Sequence, residues 1–364
     1  MKTMIKRFID IHVPVTACNL KCHYCYVAQN HLFGTEKITF KYSPETVKAG
    51  LSVERLGGIC HFNVCGLGET LIPSELIDYI RVLLENGHYV MIVTNGLLTN
   101  RFKEYVTRID TQLLPRLGFK FSFHYLELKR LNQFDVFFNN VRMVRQAGCS
   151  FSLEVTPSDE LEPYIQDVID KAMQNCGAKP HITVPRAESD RKIPILTKHT
   201  KEDFYRIWSV FDSPMLDFKM RHWQEKRREY CYAGKWSGIL DIGLGVFSPC
   251  YCQRGYSTNI FDHVDRPIRF LAVGKCRVAH CYNSHSFLTL GVIPEIREEN
   301  YAQMRDRICE DGSRWLTPEM DAFLSTRLED SNEIMTGNQK LHDSIERKKL
   351  FLQNAIKKVV KRRG

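Results

Sequence analysis

The chain has no run approaching the ~20 consecutive apolar residues that a membrane helix needs, so no membrane span is expected. Met1 to Asp10 holds a few basic residues but neither an apolar signal core nor a small-residue cleavage site, and reads as carrying no export signal. No strong excess of either charge is present: the formal net charge is +9 over 364 residues. Apolar residues at 43% and charged residues at 26% are globular values. The length exceeds one ordinary small domain and suits an α/β barrel of about 200 to 250 residues with a second unit attached.

Cysteine, in contrast, is plentiful. Thirteen cysteines in a chain read as not exported argue for reduced thiols and metal ligation rather than disulfides, and for the cytoplasm as compartment. The positive charge collects at the end, where Arg347, Lys348, Lys349, Lys357, Lys358, Lys361, Arg362 and Arg363 face Glu346 alone from Ile345 onward. Such a helix touches nucleic acid or anionic lipid in some proteins. A solvated helix end is the plainer reading, because cations suit the C-terminal dipole and no RNA-binding motif accompanies the run.

Three cysteines, Cys18, Cys22 and Cys25, stand in a C-x3-C-x2-C spacing directly after an apolar run. Three thiolates within eight residues converge on a metal or a cluster. A closed tetrahedral site or a cubane held wholly by protein wants a fourth ligand, and the next cysteine, Cys60, lies inside an apolar strand pattern. One coordination position therefore stays open. A degenerate zinc knuckle or surface cysteines are the alternatives. With Tyr24 before the last cysteine, the motif resembles the signature of the radical S-adenosylmethionine (radical SAM) enzymes. That resemblance implies a [4Fe-4S] cluster on Cys18, Cys22 and Cys25, whose unique iron is chelated by the amino and carboxylate groups of SAM.

Periodicity places strands and helices in alternation. The apolar stretch Phe8 to Val15 reads as a first strand that delivers the cysteine loop at its end, where barrel enzymes keep their chemistry. Ser43-Pro44-Glu45 caps a helix running to about Arg55, stopped by Gly57-Gly58. Further strands are expected at Cys60 to Val64, His88 to Val93, Lys120 to Leu128, Cys149 to Val155 and Pro180 to Pro185. Helices are expected over Pro73 to Asn86, Leu97 to Arg108, Asp135 to Gln146 and Leu161 to Asn175. Six strands separated by helices predict an α/β fold with a parallel sheet curled into a partial (β/α)6 TIM-like barrel over residues 1–188.

The second strand ends in Cys65-Gly66-Leu67-Gly68-Glu69-Thr70. Glycines at a strand end let backbone approach a ligand closely, and the acid after them can accept from an ammonium. One βα unit after the cysteine loop, this stretch is similar to the family's GGE element, which implies that Gly66, Gly68 and Glu69 hold the SAM amino group; Thr70 stands where the family more often has proline. Thr94-Asn95-Gly96 is similar to turns in radical SAM enzymes with auxiliary clusters, and is also a plain turn signal. The resemblance further implies SAM partners on the fourth and fifth strands, assigned to Ser122 and Glu154, with His124 and Arg186 weaker; each also reads as a satisfied rim residue. Tyr24 joins the cofactor-binding set, while Cys60, Cys65, Cys149, Cys176 and Cys309 read as core or incidental thiols.

Residues 189–230 are charged and aromatic and read as a bridging segment across the barrel mouth, the place for substrate contacts. Over 231–290, Cys231-x-Ala233-Gly234 precedes a hairpin with strands Ile239 to Ile242 and Val246 to Phe247, then Cys250, Cys252, Cys276 and Cys281. This arrangement resembles the SPASM and twitch extensions that carry auxiliary clusters. A full SPASM domain needs seven or eight cysteines, and the supply here matches one auxiliary [4Fe-4S] cluster in a small twitch-like β-hairpin domain. Its expected ligands are Cys231, Cys250, Cys276 and Cys281; Cys252, two residues from Cys250, is able to replace one of them. A zinc site on the same residues is the alternative. Residues 291–364 read as a helical basic tail with helices at Glu298 to Ile308, Glu319 to Arg327 and Ile345 to Val360.

As the resemblance implies, the reduced cluster cleaves SAM to methionine and a 5′-deoxyadenosyl radical that abstracts hydrogen from a peptide or carbohydrate substrate, with a reductant such as flavodoxin or ferredoxin. No domain-sized segment remains for cobalamin, so oxidation or redox-neutral rearrangement is expected rather than methyl transfer. The rival from another class is a non-catalytic Fe-S or zinc redox sensor or nucleic-acid binder; the Gly66 to Glu69 stretch discriminates, since a sensor has no need of it.

Overall fold

The computed structural model describes residues 3–34, 38–188, 190, 192–251 and 256–363. A single nine-stranded sheet runs in the order β6-β5-β4-β3-β2-β1-β7-β8-β9. Its strands are β1 Arg7–Val13, β2 Cys60–Gly66, β3 Tyr89–Thr94, β4 Leu117–Ser122, β5 Ser150–Val155, β6 His181–Ile182, β7 Ser237–Asp241, β8 Val246–Ser248 and β9 Thr258–Asn259. The first six strands are parallel and in sequence order, each joined to the next through helical crossovers. All their C-terminal ends therefore meet at one side, where such sheets bind ligands.

The helices follow the expected periodicity with three adjustments. The helix expected from Pro44 to about Arg55 is two, Pro44–Gly50 and Val53–Leu56, because Ser52 takes up a cap and accepts from Arg55 N. The strand expected over Lys120 to Leu128 ends at Ser122; Tyr125–Leu131 is helical and buries Tyr125 and Leu128, a three-residue spacing that the apolar run concealed. In the tail, Glu298 to Ile308 is not a regular helix and holds only a short turn at Ala302–Met304. Pro318–Leu324 and the 27-residue Gly337–Arg363 are helical. Among the described residues, no helix is long and apolar enough to cross a membrane.

The expected hairpin forms, but it extends the barrel's own sheet. β7 pairs in parallel with β1, and β8 and β9 follow antiparallel. Gly238 is required there, since a Cβ would lie 2.0 Å from the Phe247 ring. The segment after Ser213 packs beneath and beside the barrel, joining Phe8, Tyr89 and Met91 in one apolar cluster with Tyr232, Trp236, Phe287 and Tyr301. Tyr301 and Arg305 are fully buried, with the Tyr301 ring 5.4 Å from that of His61. In this way the tail closes the N-terminal end of the sheet. Helix Pro214–His222 packs beside β6, where Ile182 N donates to Ser213 Oγ at 2.9 Å.

Candidate active site

Strand alternation decides what the barrel encloses. Phe8, Asp10 and His12 share one face of β1, as do His61, Asn63 and Cys65 on β2, Lys120 and Ser122 on β4, and Ser152 and Glu154 on β5. This is the inner face, and it is polar and charged. Asp10 accepts from Asn63 Nδ2 at 2.6 Å and from the Tyr251 hydroxyl, which places a side chain of the second cysteine region inside the first barrel unit.

A cavity of about 310 Å³ opens at the C-terminal ends of the strands. Cys18, Cys22, Tyr24, Cys25, Gly66, Gly68, Glu69, Ser122, His124, Glu154 and Arg186 all line it. The residues picked out in the first half of the chain thus converge on one chamber.

The cysteine loop is held by the glycine loop behind it. Glu69 N donates to Ala17 O at 2.8 Å. A Cβ on Gly68 would lie 1.9 Å from the same oxygen, and one on Gly66 would lie 2.4 Å from Val15 Cγ1. Gly68 thus lies close against the backbone of the cysteine loop, and Gly66 against the Val15 side chain that precedes it. The Glu69 carboxylate is 2% exposed and engaged on both oxygens. Oε1 accepts from Leu71 N at 3.1 Å and Thr94 Oγ1 at 2.7 Å, and Oε2 from Asn95 N at 2.7 Å. Burial pushes this carboxyl up and the three donors pull it back. Asn95 in turn donates to Asn19 Oδ1 at 2.6 Å and lies 3.9 Å from Cys18 Sγ. Read from sequence as a turn signal, Asn95 completes a link from β3 to the first cysteine.

The Tyr24 hydroxyl and His124 Nδ1 are hydrogen-bonded at 2.7 Å, and burial lowers His124 to about 4, so the imidazole is neutral at physiological pH. Ser122 and Glu154 are register partners across β4 and β5. Glu154 is ion-paired with the fully buried Arg305, which the tail supplies. Arg186 Nε lies 2.9 Å from Glu188 and its Nη1 reaches Asn283 Oδ1 at 3.4 Å. Cys65, expected to be incidental, differs from Cys60, Cys149, Cys176 and Cys309: those four are buried in the core, while Cys65 lines the cavity with its thiol 3.7 Å from Asp10 Oδ1. Lys219, Thr183, Asn283 and His285 also line the chamber, on segments whose sequence carries no motif.

Cys231, Cys250, Cys276 and Cys281 line a second, smaller cavity with Val273, Val278, Phe287, Leu288, Val292 and Ile293. Cys231 and Gly274 exchange two backbone hydrogen bonds of 2.8 and 2.9 Å, bringing the two ends of a 44-residue excursion together. A Cβ on Gly234 would meet Leu271 O at 2.3 Å, so the glycine of C-x-A-G lets these strands close. Asn283 lines both chambers, and Tyr251 lines the second while its hydroxyl reaches Asp10 on β1. Cys252 lies outside the described residues.

The donor sets suit clusters. Burial raises Cys22 to about 12 and lifts Cys18, Cys276 and Cys281 above the usual thiol range, an environment that favours a neutral or metal-bound sulfur over a free thiolate. Among the described residues neither set brings three sulfurs within 4.8 Å of one another. A single tetrahedral zinc with bonds of about 2.3 Å holds its thiolates about 3.8 Å apart. A cubane spreads them further.

Residues 13–171 match the family model described as the Radical SAM superfamily. No curated protein sequence matches the chain. In fold the chain is similar to SuiB of Streptococcus suis bound to S-adenosylmethionine, at 15% identity and a TM-score of 0.51 over 72% of this chain. It spans 65% of the length of SuiB. SuiB has also been solved with its precursor peptide SuiA (TM-score 0.49, 14% identity, 72% of this chain and 65% of that one). A further similar structure is anSMEcpe with bound AdoMet, with a TM-score of 0.48 and 13% identity over 98% of this chain and 94% of that one. The SuiB likeness establishes the mixed α/β fold with its parallel-dominated sheet.

Proposed function

We propose that the chain is a radical SAM enzyme that removes hydrogen from a peptide or carbohydrate substrate, using a [4Fe-4S] cluster on Cys18, Cys22 and Cys25 and SAM in the adjoining chamber. The observation that carries this reading is the convergence of the three thiols, the Gly66 to Glu69 loop, Ser122 and Glu154 on one cavity. When bound, the cluster and SAM supply reductive cleavage of the sulfonium and the hydrogen-abstracting species. The protein's own part is to fix and shield. Gly68 and Glu69 lock the cysteine loop against β2, Asn95 orients Cys18, and neutral His124 holds the Tyr24 hydroxyl without adding charge beside the thiols. Tyr301 and Arg305 seal the far end from water.

Cys231, Cys250, Cys276 and Cys281 are proposed to hold one auxiliary [4Fe-4S] cluster in a twitch-like unit over 231–290, after a core of 1–188 and a bridge of 189–230. Oxidation rather than methyl transfer is the proposed outcome, with flavodoxin or ferredoxin as reductant and the cytoplasm as the compartment. The test is anaerobic reconstitution followed by dithionite and SAM. 5′-Deoxyadenosine should form slowly without substrate, and its absence from protein with a full iron complement would mean a sensor rather than an enzyme.

The position of Cys65 favours a second reading, a redox-neutral rearrangement. Burial, then the neighbouring Asp10, hold its sulfur well above the usual range, so it stays an S–H on the cavity wall. A substrate carbon radical would take that hydrogen, forming a C–H bond and leaving a sulfur radical. One electron from the flavodoxin-type reductant and one proton from solvent restore the thiol. Turnover in heavy water should then place one deuterium in the product. Cys65→Ala should abolish the label while 5′-deoxyadenosine continues to form; an unlabelled product leaves oxidation standing.

A further inference from the structure

One part of the chamber holds two buried lysines, Lys120 and Lys219, that no carboxylate among the described residues contacts. Of the carboxylates on its inner face, Asp10 is taken up by Asn63 and the Tyr251 hydroxyl and Glu69 by Leu71, Thr94 and Asn95, while burial pushes the Glu154 carboxyl up and Arg305, Lys120 and Lys219 hold it low against that. Arg305 is its ion-pair partner. Lys120 and Lys219 are 6% and 3% exposed, and among the described residues neither has a carboxylate within 4.0 Å. Among the described residues Lys219 makes one hydrogen bond, from Nζ to Thr183 Oγ1 at 2.9 Å, which leaves two ammonium donors without a described partner beside the cavity. Arg186, also on the wall, already has Glu188. The Nδ1 atom of His285 is buried without a partner, and burial followed by the nearby cations keeps that ring neutral.

An unpaired buried ammonium is expensive, and such a group either loses its proton or awaits a counter-charge. The cofactors do not bring one. SAM sets a carboxylate against an ammonium and a sulfonium, and an oxidised cubane on three thiolates carries one net negative charge, so the two together are neutral.

We propose that the substrate enters this chamber with an oxyanion, a carboxylate or a phosphate, which sits against Lys219 and Thr183 and is balanced at longer range by Lys120. The inference deepens the enzyme reading above and rests on it for the cofactors. In the free protein, burial, then Arg186, lower Lys219 to about 7, while Glu154 opposes them and Arg305 and Lys120 add to the lowering. From the segment packed alongside, His280 and His285 are the other titratable neighbours, both held neutral by burial. A bound anion favours the ammonium and raises its pKa. Binding therefore takes up a proton above neutrality, and affinity falls as pH rises through about 7.

The experiment is equilibrium dialysis of inorganic phosphate, acetate and sulfate against the full chain with cluster and SAM bound. Phosphate preferred over acetate indicates a phosphorylated substrate; acetate preferred indicates a carboxylate one, and saturable binding of either supports the proposal. Lys219→Met should weaken the preferred anion at least tenfold, while the exterior change Lys103→Met should not. Sulfate keeps its charge through this range, so its affinity for unaltered protein should drop several-fold between about pH 6 and about pH 9, a measurement that needs no variant to fold. No saturable anion binding, equal binding by Lys219→Met, or a flat sulfate profile overturns the proposal. Since binding is read without turnover, a failure to make 5′-deoxyadenosine counts against the enzyme reading alone.

Discussion

The two cysteine regions solve opposite problems. The first packs three thiols into eight residues at the end of β1 and sets them in a large polar chamber with Glu154, Arg186 and Lys219 on its walls. The second gathers four thiols spread over 51 residues, Cys231 to Cys281, and encloses them with valine, leucine, isoleucine and phenylalanine. A local loop keeps its ligands together cheaply in entropy, because few residues are ordered per ligand. It then needs outside support to keep its shape, which the Glu69 and Asn95 hydrogen bonds supply. The dispersed set needs no such props, since apolar packing and the Cys231–Gly274 exchange assemble it as the chain folds. An open polar site suits a ligand that comes and goes; a dry closed one suits a fixed group.

The largest effect should come from removing the first set alone. With two cubanes, reconstituted protein should hold about eight irons, and the Cys18/Cys22/Cys25 triple alanine variant should keep about half of them. That variant should make no 5′-deoxyadenosine, because the lost sulfurs are those of the open chamber. Iron retained in full by the variant, or zinc in the second set after anaerobic preparation, would break the contrast between the two regions.

Much of this was legible in the sequence, for particular reasons. β1, β2 and β3 are apolar runs bounded by turns, and crossovers as long as Leu76–Glu85 leave only the parallel arrangement. The cysteine loop was legible because C-x3-C-x2-C compresses its ligands. Lys219 and Arg305 were not. Each is one basic residue among many along a charged stretch, and only tertiary packing brings them to the inner face of β5. The helix at Tyr125–Leu131 was hidden by aromatic residues that suit a strand equally well. Cys65 has inward-facing alternation with Asn63 and His61, but β2 is apolar enough elsewhere to read as buried on both faces.

Glu69 is where the two kinds of reading part, and it gives the smallest and sharpest test. Its place after the glycines suggests an acceptor for a ligand's ammonium, yet in the fold its oxygens already take Leu71 N, Thr94 Oγ1 and Asn95 N. Glu69→Ala would leave these donors without an acceptor, and a buried donor left unmet costs about 1–3 kcal/mol. If the carboxylate braces the first cysteine loop, the amides of Leu71 and Asn95 should exchange with solvent roughly ten to a hundred times faster. Iron at Cys18, Cys22 and Cys25 should loosen with them, and the amides around Cys231 and Gly274 should not change. Glu69→Gln should restore part of the protection, because its carbonyl oxygen can still accept from Thr94 and Leu71. If SAM affinity falls in Glu69→Ala while both amides keep their wild-type exchange, the carboxylate acts on the ligand, and the bracing role assigned to it here is wrong. The comparison of regions would then rest on the Gly68 contact with Ala17 alone.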